Sequence, residues 1–147
     1  MYELKAVSIR LAEDYSLYSD KPITTPKSAV EVARKELEQM DRECVYVINM
    51  NTDGTPININ RASSGSVNCT VAEPREILKS GILSNAASIL IIHNHISITP
   101  KPSKNDMAFT ERMQEACKII GITLLDHIII GRNDSFFSFK ENGLIGR

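Results

Sequence analysis

Residues 88–106 read SILIIHNHISITPKPSKND, which predicts a strand, a loop and the start of a helix in succession. Residues 88–92 form a short, largely β-branched apolar run, typical of a buried strand. Ser103 follows two prolines and has an acidic residue, Asp106, three positions later, as at a helix N-terminus. His93 and His95 are two residues apart at the strand end, so their side chains are expected to point to one face.

Strand and helix patterns alternate around this unit. Residues 44–50 and a run beginning at Ile57 flank the turn signal at 51–54, which predicts a hairpin. A half-buried strand is predicted where Val7, Ile9 and Leu11 alternate with polar residues. The remaining predicted elements are helices over 26–41, from 73–74 to Leu83, and from Ser103 to Gly121, a loop over 61–66, and strands over 67–71, 124–130 and 135–139.

This order of elements predicts an α/β protein of the α+β type. We expect a mixed, largely antiparallel sheet flanked by helices. The buried face of the third helix is assigned to Phe109, Met113, Ala116, Cys117 and Ile120. Residues 1–25 are expected to form an N-terminal strand and a polar arm, and residues 26–147 one domain.

Composition excludes several classes of protein. The 147 residues carry 17 Lys and Arg against 18 Asp and Glu, so a basic nucleic-acid binder is not indicated. The most apolar run, residues 86–92, is far shorter than the ~20 residues of a membrane helix. Three cysteines are few and odd in number, so a disulfide scaffold is not expected; each is interpreted as a buried apolar residue. No signal peptide is recognisable, which favours a cytoplasmic location.

The histidines and Asp106 carry the chemical signal. Two imidazole nitrogens and one carboxylate oxygen suffice to bind a catalytic Zn²⁺, with water as a fourth ligand. The same set accepts Mn²⁺ or Fe²⁺. Two other interpretations stay open: the histidines are merely hydrogen-bonded at a strand end, and Ser103 with Asp106 only caps the helix.

The spacing His-x-His-x₇-Ser-x-x-Asp resembles the signature of the JAB/MPN (JAMM) metalloenzymes, and its surroundings resemble their RadC-like branch. The usual RadC-like run is H-N-H-P-S-G-D-P-x-P-S-x-x-D, and this chain has H-N-H-I-S-I-T-P-K-P-S-K-N-D. The resemblance covers roughly residues 26–147. Further matches are the stretches PREI at 74–77, LDHIIIG at 125–131 and SF at 138–139.

The resemblance implies a cytidine-deaminase-like fold and roles for five residues. His93, His95 and Asp106 would bind the metal, one Zn²⁺ per chain. Glu43, before the first strand of the hairpin, would act as general base. Ser103 would hydrogen-bond the water or the developing oxyanion. The chain departs from the family at Ile96, Ile98 and Thr99, which alter the loop over the site and make it more apolar.

The leading hypothesis is therefore a zinc-dependent hydrolase of JAB/MPN type that cleaves a peptide or isopeptide bond in a protein or peptide substrate. The alternatives are a DNA-metabolism accessory protein, implied by the DNA-repair label of RadC-like proteins but disfavoured by the near-neutral charge, and a catalytically silent interaction module. No membrane partner is expected, and the oligomeric state is left open.

Four other patterns are interpreted as structural. Residues 49–54 resemble half of a calcium loop, but the twelfth position is Asn60 instead of glutamate. The letters H-N-H do not make an HNH nuclease, whose residues are dispersed. His127 is expected to pair with Asp126, although a role behind the metal ligands stays open. Arg75, Lys79, Lys101 and Lys104 are taken as solvated charges, with a patch for an anionic substrate as the alternative.

Overall fold

The computed structural model describes residues 1–65, 72–96 and 99–146. Three helices and five strands are formed there. In chain order they are α1 (Pro26–Leu37), β1 (Cys44–Met50), β2 (Pro56–Ser64), α2 (Pro74–Leu83), β3 (Ser88–Asn94), α3 (Lys104–Ile120), β4 (Thr123–Ile130) and β5 (Phe136–Ser138).

The strands form one sheet in the order β2-β1-β3-β4-β5. All neighbouring strands are antiparallel except β3 and β4, which are parallel and are joined through α3. The prediction of a mixed, largely antiparallel sheet flanked by helices is confirmed. The site lies where β3 ends, because the loop to α3 leaves the sheet there.

The alternation of side chains along β3 separates two apolar cores. Ile89 and Ile91 pack in the core that α2 and α3 cover. Leu90 and Ile92 pack in the core beneath α1. Because successive strand residues face opposite sides of a sheet, His93 continues the α2/α3 side and Asn94 the α1 side.

Local signals placed most helix ends correctly. Thr25 caps α1 and Pro26 is its first residue. Ser103 caps α3, and Gly121 ends it in the left-handed conformation with φ +85°. The first helix is shorter than predicted: it ends at Leu37, and its C-cap is Glu38.

Three further predictions need correction. Residues 61–64 continue β2 because they pair with β1, with a register shift between Val45 and Tyr46, so the loop is shorter than expected. Ile120 is 47% exposed because the buried stripe of α3, formed by Thr110, Met113 and Cys117, is narrower than predicted. The buried Thr110 was missed. The strand predicted over 67–71 lies outside the described residues, and so does Cys69. Cys44 and Cys117 are buried, as expected.

The N-terminal strand is not formed. Residues 1–24 carry no helix or strand, and Val7, Ile9 and Leu11 are 86%, 74% and 47% exposed. An alternating pattern makes a strand only where a neighbouring strand accepts its backbone hydrogen bonds. The prediction was wrong because no strand among the described residues pairs with this segment. The division of the chain after residue 25 stays a prediction.

Candidate metal centre

The two histidines reach one point because β3 carries them on the same face. His93 is the penultimate residue of β3 and is buried. The His95 backbone N–H donates to the carbonyl of Ile130 at 2.8 Å, which extends the pairing with β4 one residue beyond the strand. The two imidazole centroids lie 5.0 Å apart. The expectation that both rings share one face is confirmed.

Asp106 is held over the strand end by the start of α3. Its backbone N–H donates to Ser103 Oγ at 3.1 Å, and its Oδ2 accepts from the Ser103 backbone N–H at 2.8 Å. This capping box is the one that the sequence suggested. The cap therefore fixes the carboxylate near the histidines, so capping and metal binding do not exclude each other.

The three predicted ligands form one cluster. His93, His95 and Asp106 each offer an atom within 4.8 Å of the other two. His95 Nε2 lies 3.0 Å from Asp106 Oδ2, and His93 Nε2 lies 3.5 Å from Asp106 Oδ1. Among the described residues, buried His93 Nε2 makes no hydrogen bond. A buried nitrogen without a partner costs about 1–3 kcal/mol, and a cation between it and the carboxylate would remove that cost.

The pKa shifts of the cluster leave His93 neutral and Asp106 ionised at neutral pH. Burial lowers the pKa of His93 to about 4, so this ring is neutral at pH 7. Burial also acts to lower the pKa of His95, but the hydrogen bond and charge of Asp106, the charge of Glu43 and the Thr99 backbone raise it overall. Burial acts to raise the pKa of Asp106, yet its hydrogen bond with His95, its electrostatic interaction with His93 and its bonds with Ser103 keep it well below its usual range.

Glu43 lies beside this cluster. It directly precedes β1, and its backbone carbonyl accepts from the N–H of Gly65 at 2.9 Å. Val45 pairs with His93 in the antiparallel register, so the same register places position 43 opposite His95. The charge of Glu43 contributes to the raised pKa of His95, which agrees with this placement.

Asn94 fixes the backbone that leads into Glu43. It points to the α1 side, away from the histidines, and is buried. Its Oδ1 accepts from the Cys44 backbone N–H at 2.7 Å, and its Nδ2 donates to the carbonyl of Arg42 at 3.0 Å. The side chain thus bonds the residues on both sides of Glu43.

His127 contacts the cluster through the ring of His93. Its own ring does not pair with the side chain of Asp126, contrary to the prediction. Asp126 accepts from the backbone N–H of His127. The ring lies between His93 Nδ1, at 2.7 Å from its Nε2, and Thr110 Oγ1, at 2.7 Å from its Nδ1. Sequence reasoning missed Thr110. The sequence held one signal that could have identified Thr110: it lies four residues after Asp106, and so on the same face of α3.

The calcium interpretation finds no support. Asn49 is buried in β1, and its Nδ2 donates to Asn58 and Ser80, so it does not face the turn. Asp53 Oδ1 accepts from the backbone N–H and hydroxyl of Thr55, which closes the turn itself.

Two further features near the site are the loop after β3 and four basic side chains. Ile96 is half-buried, and Ile98 lies outside the described residues. Lys79 pairs with Glu76 at 3.1 Å, while Arg75, Lys101 and Lys104 are exposed. A patch for an anionic substrate stays a prediction.

Comparison with known families agrees with the site geometry. A model of the RadC-like JAB domain matches residues 23–144. The chain belongs to the RadC-like JAB domain family. The resemblance carried by the His-x-His-x₇-Ser-x-x-Asp spacing is thereby confirmed, and the fold agrees with the JAB/MPN fold.

Relatives of this RadC-like JAB domain are UPF0758 proteins. The chain is 44% identical to one from Clostridium acetobutylicum over 131 residues, covering 89% of this chain and 57% of the relative. It is 38% identical to one from Desulforudis audaxviator over 122 residues, covering 83% and 53%. The chain spans about half the length of these curated relatives. Within the part of the chain that the structure describes, no helix is both long and apolar enough to cross a membrane.

Proposed function

We propose that this RadC-like JAB domain is a zinc-dependent hydrolase of peptide or isopeptide bonds. His93, His95 and Asp106 would hold the metal. The observation that carries the proposal is the buried Nε2 of His93, which faces Asp106 Oδ1 at 3.5 Å and makes no hydrogen bond with any residue that the structure describes. Two groups that both accept hydrogen bonds are stable at this distance when a cation lies between them. Imidazole with one carboxylate suits Zn²⁺, and also Mn²⁺ or Fe²⁺.

A bound divalent metal supplies Lewis acidity, which lowers the pKa of a water from about 16 to about 7 and polarises a carbonyl. The protein supplies the proton transfers. Glu43, opposite His95, would accept the proton of the attacking water and deliver it to the leaving amine. The hydroxyl of Ser103 accepts from the Asp106 N–H, so its own proton remains for donation to the developing oxyanion.

A cysteine nucleophile has less support. Cys117 is buried on α3, and burial raises the pKa of its thiol to about 11, which keeps it protonated at neutral pH. Cys44 is buried in β1, and its Sγ contacts Ser64 Oγ at 3.6 Å. Hydrolysis by an activated water requires neither of them.

A cavity beside the cluster offers room for a substrate chain. It holds about 400 Å³ and lies between the end of α1 and the turn after β4. His95 and Ile96 form one wall, and Gly131 and Arg132 another. Of the five proposed site residues, His95 is the one that lines this cavity among the described residues, and the cavity otherwise borders the α1 side of the sheet, with Leu37 and Asn94. The cavity lies at the carboxyl ends of the parallel strands β3 and β4, where ligands commonly bind in α/β sheets.

The first test is the metal content of protein purified without added metal. We expect close to one equivalent of zinc, and its loss in Asp106→Ala. Asp41→Ala is the matched control, because Asp41 is exposed and pairs with Arg42 at 2.9 Å. A wild-type protein with less than about a tenth of an equivalent, and no uptake of added Zn²⁺, would refute the metal site.

The second test is cleavage of a broad peptide library by the zinc-loaded protein. We expect cleavage that Glu43→Gln abolishes without loss of zinc. Glu115→Gln should leave it unchanged, since Glu115 is exposed on α3. Zinc binding without any cleavage would favour the silent interaction module. Submicromolar, salt-dependent DNA binding without cleavage would favour the DNA-metabolism role instead.

A further inference from the structure

A chain of three hydrogen bonds, two of them buried and one part-buried, connects the backbone of one candidate ligand to the ring of another. Thr110 Oγ1 donates to the backbone carbonyl of Asp106 at 2.8 Å. The same oxygen lies 2.7 Å from His127 Nδ1. His127 Nε2 in turn lies 2.7 Å from His93 Nδ1. The chain therefore begins at Asp106 on α3, crosses to β4 and ends at β3.

The direction of these bonds follows from the group at the first end. A carbonyl oxygen only accepts, so the single hydroxyl proton of Thr110 points to Asp106. Thr110 must then accept from His127 Nδ1–H. His127 Nε2 carries no proton and accepts from His93 Nδ1–H. If Thr110 donated to His127 Nδ1 instead, lone pairs of Thr110 Oγ1 and of the Asp106 carbonyl oxygen would face each other at 2.8 Å, so this direction is disfavoured.

This direction decides which nitrogen of His93 is available. With its proton on Nδ1, the ring presents an unprotonated Nε2 to the candidate metal centre. That is the buried nitrogen that lies 3.5 Å from Asp106 Oδ1. The opposite tautomer would place a proton where a metal must bind.

Aromatic packing holds the intermediate ring in place. His127 stacks on Phe139 with a centroid distance of 4.5 Å and an interplanar angle of 2°. The ring of Phe109 meets it edge-on at 5.7 Å. Both neighbours are apolar, so they fix the plane of the imidazole without offering a competing hydrogen-bond partner.

We propose that Thr110 and His127 are positioning residues that keep the proton of His93 on Nδ1 and leave Nε2 free to bind the metal. The proposal rests on the metal site proposed above and adds two residues outside the three ligands. Groups that orient metal-binding histidines typically change metal affinity about 10- to 100-fold when they are removed.

The test compares Thr110→Val with Thr110→Ser. Valine keeps the shape and removes the hydroxyl, while serine keeps the hydroxyl. We expect Thr110→Val to bind Zn²⁺ about 10- to 100-fold more weakly in competition with a chromophoric chelator. Thr110→Ser should stay close to the wild type. Thermal unfolding checks that both proteins are folded. If they are, equal zinc affinities of the valine variant and the wild type would overturn the proposal.

A second measurement uses the wild-type protein without metal and needs no catalytic activity. Two-bond ¹⁵N–¹H correlation spectra of the histidine rings at neutral pH report which nitrogen carries the proton. We expect the proton on Nδ1 in both His93 and His127. A proton on Nε2 of His93 would overturn the proposal even if the protein binds zinc. Conversely, the protein could show the expected tautomers and yet bind no zinc. That result would contradict the proposed function, while the direction of the hydrogen-bond chain would stand.

Discussion

Replacing Asn94 with alanine tests how the backbone around Glu43 is held. Asn94 is 4% exposed and bonds to the Cys44 N–H at 2.7 Å and the Arg42 carbonyl at 3.0 Å. A third, longer contact of 3.5 Å reaches the carbonyl of Leu37. The side chain thereby extends the pairing of β1 with β3 beyond the last backbone partners.

The expected loss of stability follows from these partners. Cys44 is buried, so its N–H would lose its partner without access to water, at a cost of about 1–3 kcal/mol. Arg42 is exposed, so water can replace the bond to its carbonyl, and only about 0.5–1.5 kcal/mol is lost there. We therefore expect the free energy of unfolding to fall by about 1.5–4.5 kcal/mol.

Urea unfolding of the metal-free protein, followed by circular dichroism, measures this change. Asn142→Ala is the matched control: Asn142 is exposed and donates one bond to the carbonyl of Ser138 at 2.7 Å. It should cost less than about 1 kcal/mol. Zinc affinity should be nearly unchanged in Asn94→Ala, because Asn94 faces away from His93. A loss below about 0.5 kcal/mol would refute the reasoning.

Three further outcomes are expected. Between pH 6.5 and 4, the free energy of unfolding of the metal-free protein should fall by up to about 3 kcal/mol relative to that of His93→Gln, because the unfolded chain binds a proton that folded His93, with its pKa of about 4, excludes. The raised pKa of His95 adds a contribution that is constant below pH 6.5. The same difference in urea midpoint between the two proteins at both pH values would contradict this prediction. Gly121→Ala should cost about 1 kcal/mol in urea unfolding from its φ of +85° alone, since a Cβ there meets nothing within 4 Å, and Gly121→Asn should cost less. Ser103→Ala removes the hydroxyl that accepts from the Asp106 N–H, so it should lower the free energy of unfolding by about 1 kcal/mol and weaken zinc binding. Ser103→Thr keeps a hydroxyl and should restore both. An alanine variant with unchanged zinc affinity would show that the cap does not support the ligand Asp106.

Much of the fold could be predicted because its signals are local. Thr25 with Pro26, Ser103 and Gly121 mark helix ends through bonds within a few residues, and the structure has them there. The strand at Val7 to Leu11 failed because an alternating pattern does not specify a partner. Likewise, the burial of Thr110 and the exposure of Ile120 depend on which part of α3 meets the sheet.

The sequence by itself determined that two imidazoles share a face and that a helix cap holds a carboxylate nearby. Both facts follow from the period of a strand and the geometry of a helix N-terminus, which act over a few residues. Tertiary structure alone decided what surrounds the ligands. The bonds from Thr110 through His127 to His93 join three elements, and the register of β1 with β3 places Glu43 opposite His95. No local pattern specifies these contacts, because each depends on where distant segments pack.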